Sequence, residues 1–243
     1  MCPKCEFEQP DGGVECAQCG IVFAKYRRPP GGQRMETEPS AREAPHPAQE
    51  VTWEDKAALP AIAQVPVLLI LLYFSWRVIP SAIASNAPGH SFMHLINLPF
   101  HEAGHVFFRF FGRFMHSLGG SVGQLLMPLI CFIALKYKTR DDFGAAVCVW
   151  WFGENFVDMA PYMNDARALA LPLIGGNFGY SSPYGFHDWE FLLTESGLLQ
   201  YDHAIARISH VTGSLLMLTG IVWGSMLMVR QWKAGNRGDP ERS

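Results

Sequence analysis

Three residues in the middle of the chain have the types and spacing of a catalytic zinc site. The segment His101-Glu102-Ala103-Gly104-His105 reads HExxH and lies within an apolar run. Residues four apart on a helix share one face, so the two imidazoles can bind one Zn²⁺. The glutamate between them then lies beside a water on the metal. We therefore predict a zinc site with His101 and His105 as ligands and Glu102 as the general base.

A second set of metal-binding residues lies at the N-terminus, where four of the six cysteines form two C-x-x-C pairs. They are Cys2, Cys5, Cys16 and Cys19. Four thiolates at this spacing bind structural zinc in a closed tetrahedron, and the metal supplies the folding energy of so short a segment. Disulfides are the alternative. Because no signal peptide precedes the pairs, we expect a cytoplasmic N-terminus with reduced thiols.

The composition of the chain predicts four parts with sharp boundaries. Residues 1–26 are predicted to form a zinc ribbon with a closing strand at residues 21–26, and such a module typically binds a regulatory partner. Residues 27–58 are rich in proline and charge and predict a disordered linker. Residues 59–230 are strongly apolar and predict a membrane-embedded domain, and residues 231–243 form a basic cytoplasmic tail. The net charge of −3 gives no reason to expect a nucleic acid partner.

The hydropathy pattern predicts an all-α polytopic membrane protein, with about four spans and a re-entrant loop, behind the small N-terminal zinc ribbon. Spans are expected at residues 59–84, 92–111, 143–163 and 208–229. Residues 117–124 contain three glycines, a serine and a glutamine, which disfavour a continuous helix. We interpret them as a re-entrant loop beside the metal, because irregular backbone in a membrane lines cavities or is buried in protein. An ordinary helix–helix turn and a fifth crossing through residues 117–135 are the alternatives.

The distribution of basic residues orients these spans. Lysine and arginine collect in cytoplasmic loops, and four spans with a re-entrant loop keep both basic ends inside. We expect the protein in a bacterial inner membrane, surrounded by lipid. At about 1.5 Å of rise per residue, the motif histidines lie at a depth similar to that of Glu154 and Asp158, in the outer half of the bilayer. Carboxylates within an apolar span indicate a functional site.

These features resemble the site-2 protease family of intramembrane zinc metalloproteases. The resemblance covers roughly residues 60–230 and is carried by the HExxH in a membrane helix, the glycine-rich segment after it and a later helix with an intramembrane aspartate. It implies that His101 and His105 bind zinc, that Glu102 is the general base and that a later aspartate is the third ligand.

The identity of the third ligand is open among four residues. The family's later motif has Asn and Pro ahead of the ligand Asp, which is followed by Gly, whereas neither aspartate in residues 155–165 is followed by Gly. We predict Asp158, because it lies within a span and near the expected depth of the metal. Glu154, Asp165 and His187 are the alternatives.

The sequence therefore predicts a zinc metalloendopeptidase that hydrolyses peptide bonds of transmembrane protein substrates. One catalytic and one structural Zn²⁺ are expected. Gly120 would belong to a loop that pairs with an extended substrate strand, and Gln124 or Asn155 would hold the substrate backbone or oxyanion. The alternative is a membrane zinc protein without protease activity, acting as a carrier, a sensor or an inactive scaffold.

Overall fold

The computed structural model describes residues 1–10, 12–27, 60–174 and 176–236. The chain divides into two compact units, Met1–Glu50 and Val51–Ser243. The predicted linker lies outside the described residues except for Arg27, and so do residues 237–243 of the predicted tail. Within the described ranges the chain is helical and contains no β-strand.

The N-terminal unit consists of two turns with the same backbone pattern. The N–H of Cys2 donates to the carbonyl of Phe7, and the N–H of Cys16 donates to the carbonyl of Ile21, both at 2.9 Å. Glu6 and Gly20 occupy equivalent positions with φ of 62° and 64°. Each turn therefore wraps its backbone around one cysteine pair.

The predicted closing strand of the ribbon is wrong. Val22 forms an isolated bridge with Glu15, and a 3₁₀ turn follows at Phe23–Lys25. Because the bridge joins a single pair of residues, no ladder of hydrogen bonds extends along residues 21–26.

The second unit contains six α-helices in its described part. They are α1 (Ala61–Val78), α2 (Phe92–Phe108), α3 (Arg113–Ile133), α4 (Asp142–Asn164), α5 (Asp188–Glu195) and α6 (Asp202–Asn236). Three stretches are long and apolar enough to cross a membrane, and the HExxH helix α2, with 17 residues, is not among them. These stretches are Ala61–Val78, Arg113–Lys138 and Leu199–Ala234.

Helix α4 is the centre of this unit and packs against α3 and α6. Its buried side chains join those of α1 and α6 in one apolar cluster, which includes Leu71, Trp150 and Met217. Gly153 permits the close approach of α4 to α6, because a Cβ there would lie 2.6 Å from the carbonyl oxygen of Gly213. Polar side chains on α4 must therefore find their partners inside the protein.

The outward faces of the surrounding helices are apolar. Ile62 and Trp76 on α1 are 82% and 77% exposed, and Phe107 on α2 is 68% exposed. Soluble monomers rarely expose large contiguous apolar surfaces. The exposed side chains and the three candidate spans are together consistent with a membrane protein.

The predicted re-entrant loop is also wrong, because residues 117–124 lie inside α3. This helix runs from Arg113 to Ile133 without a break and continues as a π-helical turn, Ala134–Lys138. The glycines serve close packing: a Cβ on Gly104 of α2 would overlap the carbonyl group of Gly119. Close contact between two helix backbones requires small residues, and so does a flexible loop. The composition of residues 117–124 therefore could not distinguish a packed helix from a loop.

Candidate metal centres

The four predicted cysteine ligands converge in the N-terminal unit. Their ligand atoms all lie within 4.8 Å of one another. The sulfurs of Cys2 and Cys19 are 3.8 Å apart and those of Cys5 and Cys16 are 3.6 Å apart. A tetrahedral zinc ion with Zn–S bonds of about 2.3 Å holds its sulfurs about 3.8 Å apart. This cluster can therefore hold one metal ion.

The backbone around Cys2 favours its thiolate. Desolvation raises the pKa of Cys2, but hydrogen bonds from the N–H groups of Cys5 and Lys4 outweigh it and lower the pKa to about 6. A thiolate is the form that binds metal. These N–H groups therefore favour the thiolate of Cys2. At Cys5 the backbone N–H of Phe7 lowers the pKa, but hydrogen bonding with the neighbouring thiols outweighs it and raises the pKa to about 12.

In the second unit, His101 and His105 present matching nitrogen atoms to a common point. Nδ1 of His101 lies 2.8 Å from Oε1 of Gln124, and Nδ1 of His105 lies 2.7 Å from the carbonyl oxygen of His116. Both partners accept hydrogen bonds, so each Nδ1 carries a proton. In the neutral ring each Nε2 then has a free lone pair, as a metal ligand requires.

Asp188, the first residue of α5, lies beside these two nitrogens. Its Oδ2 is 3.4 Å from Nε2 of His101 and 3.3 Å from Nε2 of His105. Ligand atoms about 2.0 to 2.1 Å from a tetrahedral zinc ion are about 3.3 to 3.4 Å apart. Both distances to Asp188 match this separation, and the three donor atoms lie within 4.8 Å of one another. One zinc ion can therefore fit among them, with a fourth position left for water or substrate.

The negative charge of Asp188 also favours a cation between its carboxylate and the two histidines. Burial raises the pKa of Asp188, but in the metal-free site hydrogen bonds from the protonated rings of His101 and His105 outweigh it and lower the pKa to about 2. Asp188 is therefore a carboxylate at neutral pH. Two imidazole lone pairs facing a carboxylate repel one another unless protons or a metal ion lie between them.

Gly120 of α3 forms a wall of the same site. A Cβ at this position would lie 2.5 Å from Nε2 of His101 and 2.5 Å from Nε2 of His105. A methyl group here would therefore crowd both nitrogens that could bind a metal ion. The structure therefore places Gly120 against the two candidate metal ligands, inside α3 and not in a loop that pairs with substrate.

The predicted third ligand, Asp158, lies elsewhere. Its Oδ1 is 2.9 Å from Nδ1 of His94, and the nearby Glu154 accepts a hydrogen bond from Asn97 at 2.8 Å. His94 is two helical turns from His101. The structure thus places Asp188, and neither Asp158 nor Glu154, beside the motif histidines.

The helix register explains this difference from the expected depth. The rings of Phe100 and Trp151 lie 6.0 Å apart, and Trp151 donates a hydrogen bond to Asn97 at 2.9 Å. These side-chain contacts place Trp151 near the level of His101, and Asp158, two turns further along α4, near the level of His94. Counting from the ends of the predicted spans could not find this register, because side-chain packing sets it.

The two remaining alternatives, Asp165 and His187, hold the loop that positions the candidate ligand Asp188. Asp165 accepts hydrogen bonds from the N–H groups of residues 170 and 171, and its Oδ2 lies 3.5 Å from Nε2 of His187. Nδ1 of His187 accepts the N–H of Glu190 and caps the N-terminus of α5. Because Asp188 begins α5, these contacts fix the position of its carboxylate.

The two amides predicted to bind substrate, Gln124 and Asn155, instead form hydrogen bonds within the protein. Asn155 is fully buried and donates a hydrogen bond to the carbonyl oxygen of Trp151 at 2.9 Å. Gln124 lies at the site, but its Oε1 accepts the proton of His101. Gln124 therefore orients a ligand, and Asn155 belongs to the packing of α4.

A cavity of about 680 Å³ opens onto the HExxH site. Its volume is within the range of about 300 to 1,000 Å³ that is typical of ligand sites. Glu102 is exposed there and can exchange protons with water. Its polar walls include His94, His101, Glu102, His105, His116, Asp158, Tyr162 and Asp188.

The sequence interpretation missed Asp188 as a candidate ligand. A signal for Asp188 was present, because it directly follows the candidate ligand His187 in the sequence. Comparison of the chain with protein-family models, with curated proteins and with solved structures gave no match. The geometry of the site is therefore the basis on which its function is inferred.

Proposed function

We propose that this protein is an intramembrane zinc metalloendopeptidase, similar in chemistry to the site-2 proteases. The observation that carries the proposal is the convergence of His101, His105 and Asp188 beside an exposed Glu102. Three protein ligands with one free position are typical of catalytic zinc, whereas structural zinc has four protein ligands. The four-cysteine cluster matches the structural type.

The residues of the site divide the chemistry among them. A bound zinc ion would polarise a peptide carbonyl and lower the pKa of a water molecule to about 7. Glu102 takes a proton from the attacking water and delivers it to the departing amine. Gln124 and the carbonyl group of His116 hold the two histidines in the tautomer that binds metal.

The proposed substrate is a transmembrane protein. Three membrane-length helices and the apolar outward faces support a location in a lipid bilayer. A substrate helix must unwind to present a peptide bond to Glu102. Lys25 and Arg27 beside the cysteine cluster favour a cytoplasmic N-terminus in a bacterial inner membrane, where the ribbon would bind a regulatory partner.

The test uses the full-length protein in phospholipid vesicles with added zinc. The probe is a panel of tagged single-span peptides, each with a Pro-Gly break in the membrane. We expect the wild type to bind two zinc ions and cleave the panel, and Glu102→Gln to bind two and cleave nothing. Glu195→Gln, at an exposed position on α5, is the matched control and should cleave normally.

The competing function is a zinc carrier, sensor or inactive scaffold. A wild type that binds two zinc ions and leaves the whole panel intact would favour it and contradict the proposed protease. Cleavage by Glu102→Gln at the wild-type rate would also contradict the mechanism.

The third ligand has its own test, because two aspartates line the same cavity. Asp188→Ala should reduce zinc from two ions per chain to one, measured by elemental mass spectrometry. Asp158→Ala is the matched control and should retain both ions. The opposite pattern would reject the assignment of Asp188.

A further inference from the structure

Tyr162, in the last turn of α4, has a hydroxyl group with a free proton. Its oxygen accepts the backbone N–H of Asp188 at 3.1 Å. No acceptor for its O–H is found in the part of the chain that the structure describes. A hydroxyl group can donate and accept at the same time. The proton of Tyr162 is therefore available to a bound molecule.

The position of this hydroxyl group is fixed by two contacts. The ring of Tyr162 lies 4.0 Å from the imidazole of His187, which is itself fully buried. The hydrogen bond from Asp188 fixes the oxygen at the other end of the ring. A donor held in this way needs no reorganisation when charge develops nearby.

The hydroxyl group also belongs to the cavity that contains the candidate metal ligands. Tyr162, Glu102 and Asp188 line the same cavity. Tyr162 contacts the backbone of the residue whose carboxylate faces the two histidines, and the backbone N and carboxylate O of one aspartate are at most about 5 Å apart. A peptide bound in this cavity can therefore contact both the candidate metal ligands and this donor.

We infer that Tyr162 is a further catalytic residue, which donates a hydrogen bond to the carbonyl oxygen of the cleaved peptide. The inference rests on the proposed peptidase function. The water oxygen bonds to the carbonyl carbon, and the proton of the water passes to Glu102. The C–N bond then breaks, and Glu102 returns the proton to the amine. Tyr162 keeps its own proton and stabilises the negative charge on the carbonyl oxygen.

The test is Tyr162→Phe in the full-length protein, with the peptide panel as the probe. Phenylalanine keeps the ring against His187 and removes only the hydroxyl group. Loss of one such donor typically lowers kcat by about 100- to 1,000-fold. We expect a fall of this size in kcat, with KM and zinc affinity within about threefold of the wild type. Tyr180→Phe removes a hydroxyl group from a residue that is 69% exposed and should change neither constant.

Two results would overturn the inference. Wild-type kcat in Tyr162→Phe would show that the hydroxyl group does not act on substrate. Weakened zinc binding with kcat restored at saturating zinc would show that Tyr162 only positions Asp188. A zinc-loaded wild type that cleaves nothing would contradict the proposed function itself, so the two failures are distinct.

Discussion

Gly120→Ala should remove the metal from the HExxH site and leave the fold intact. The added methyl group would lie 2.5 Å from Nε2 of both His101 and His105. Optimal contacts between such atoms are about 3.5 Å, so both rings must move by about 1 Å. Their Nδ1 atoms are held by hydrogen bonds of 2.8 and 2.7 Å, which oppose this movement. Functional groups must be held within about 0.5 Å of the productive geometry, so the displacement exceeds what the site tolerates.

The same change should not unfold the protein. Alanine is favoured over glycine inside a helix by about 1 kcal/mol. We therefore expect one zinc ion per chain in place of two, with affinity at the HExxH site at least about 100-fold weaker, beyond the range for loss of an outer-shell partner. The melting temperature of the metal-free protein should be close to that of the wild type.

The assay is zinc content by elemental mass spectrometry, followed by titration of the metal-free protein. Gly224→Ala on α6 is the matched control, because its nearest neighbours are side-chain atoms of Leu68 and Phe143 at 3.3 and 3.4 Å. It should retain both ions. A Gly120→Ala protein that binds two zinc ions with wild-type affinity would refute the placement of the metal between the histidines.

Further changes address the supporting contacts. Gln124→Leu removes the acceptor for His101 and should weaken zinc binding by about 10- to 100-fold in titration. Asn97→Ala breaks hydrogen bonds with Glu154, Asp158 and the Trp151 ring. It should lower the free energy of unfolding by about 2 to 5 kcal/mol without changing zinc content. Burial raises the pKa of Asp165, but contacts with His187 and two N–H groups outweigh it and lower the pKa below its usual value. The stability that Asp165 contributes is thus complete above about pH 4 and is lost as pH falls through the lowered pKa. The wild-type melting temperature should then fall more steeply below pH 4 than that of Asp165→Asn, and equal slopes would contradict this account.

The main residues of both candidate metal sites could be predicted from local spacing. A four-residue interval on a helix places His101 and His105 on one face whatever surrounds them. The cysteine pairs are equally local, because each lies within one turn of backbone. Hydropathy likewise predicted the first membrane-length helix, since the transfer of side chains into lipid depends on composition.

The candidate third ligand, Asp188, could be identified only from the tertiary structure. Asp188 is 87 residues from His101 along the chain and reaches it through a loop anchored by Asp165 and His187. Counting residues from the ends of the predicted spans placed Asp158 at the depth of His101. In the structure the register of α2 and α4 places it beside His94 instead. The glycines of α3 were ambiguous for a similar reason, because close packing and loop flexibility favour the same residue. Spacing decides which side chains share one face of a helix, but which faces meet is decided by packing between segments distant in the chain.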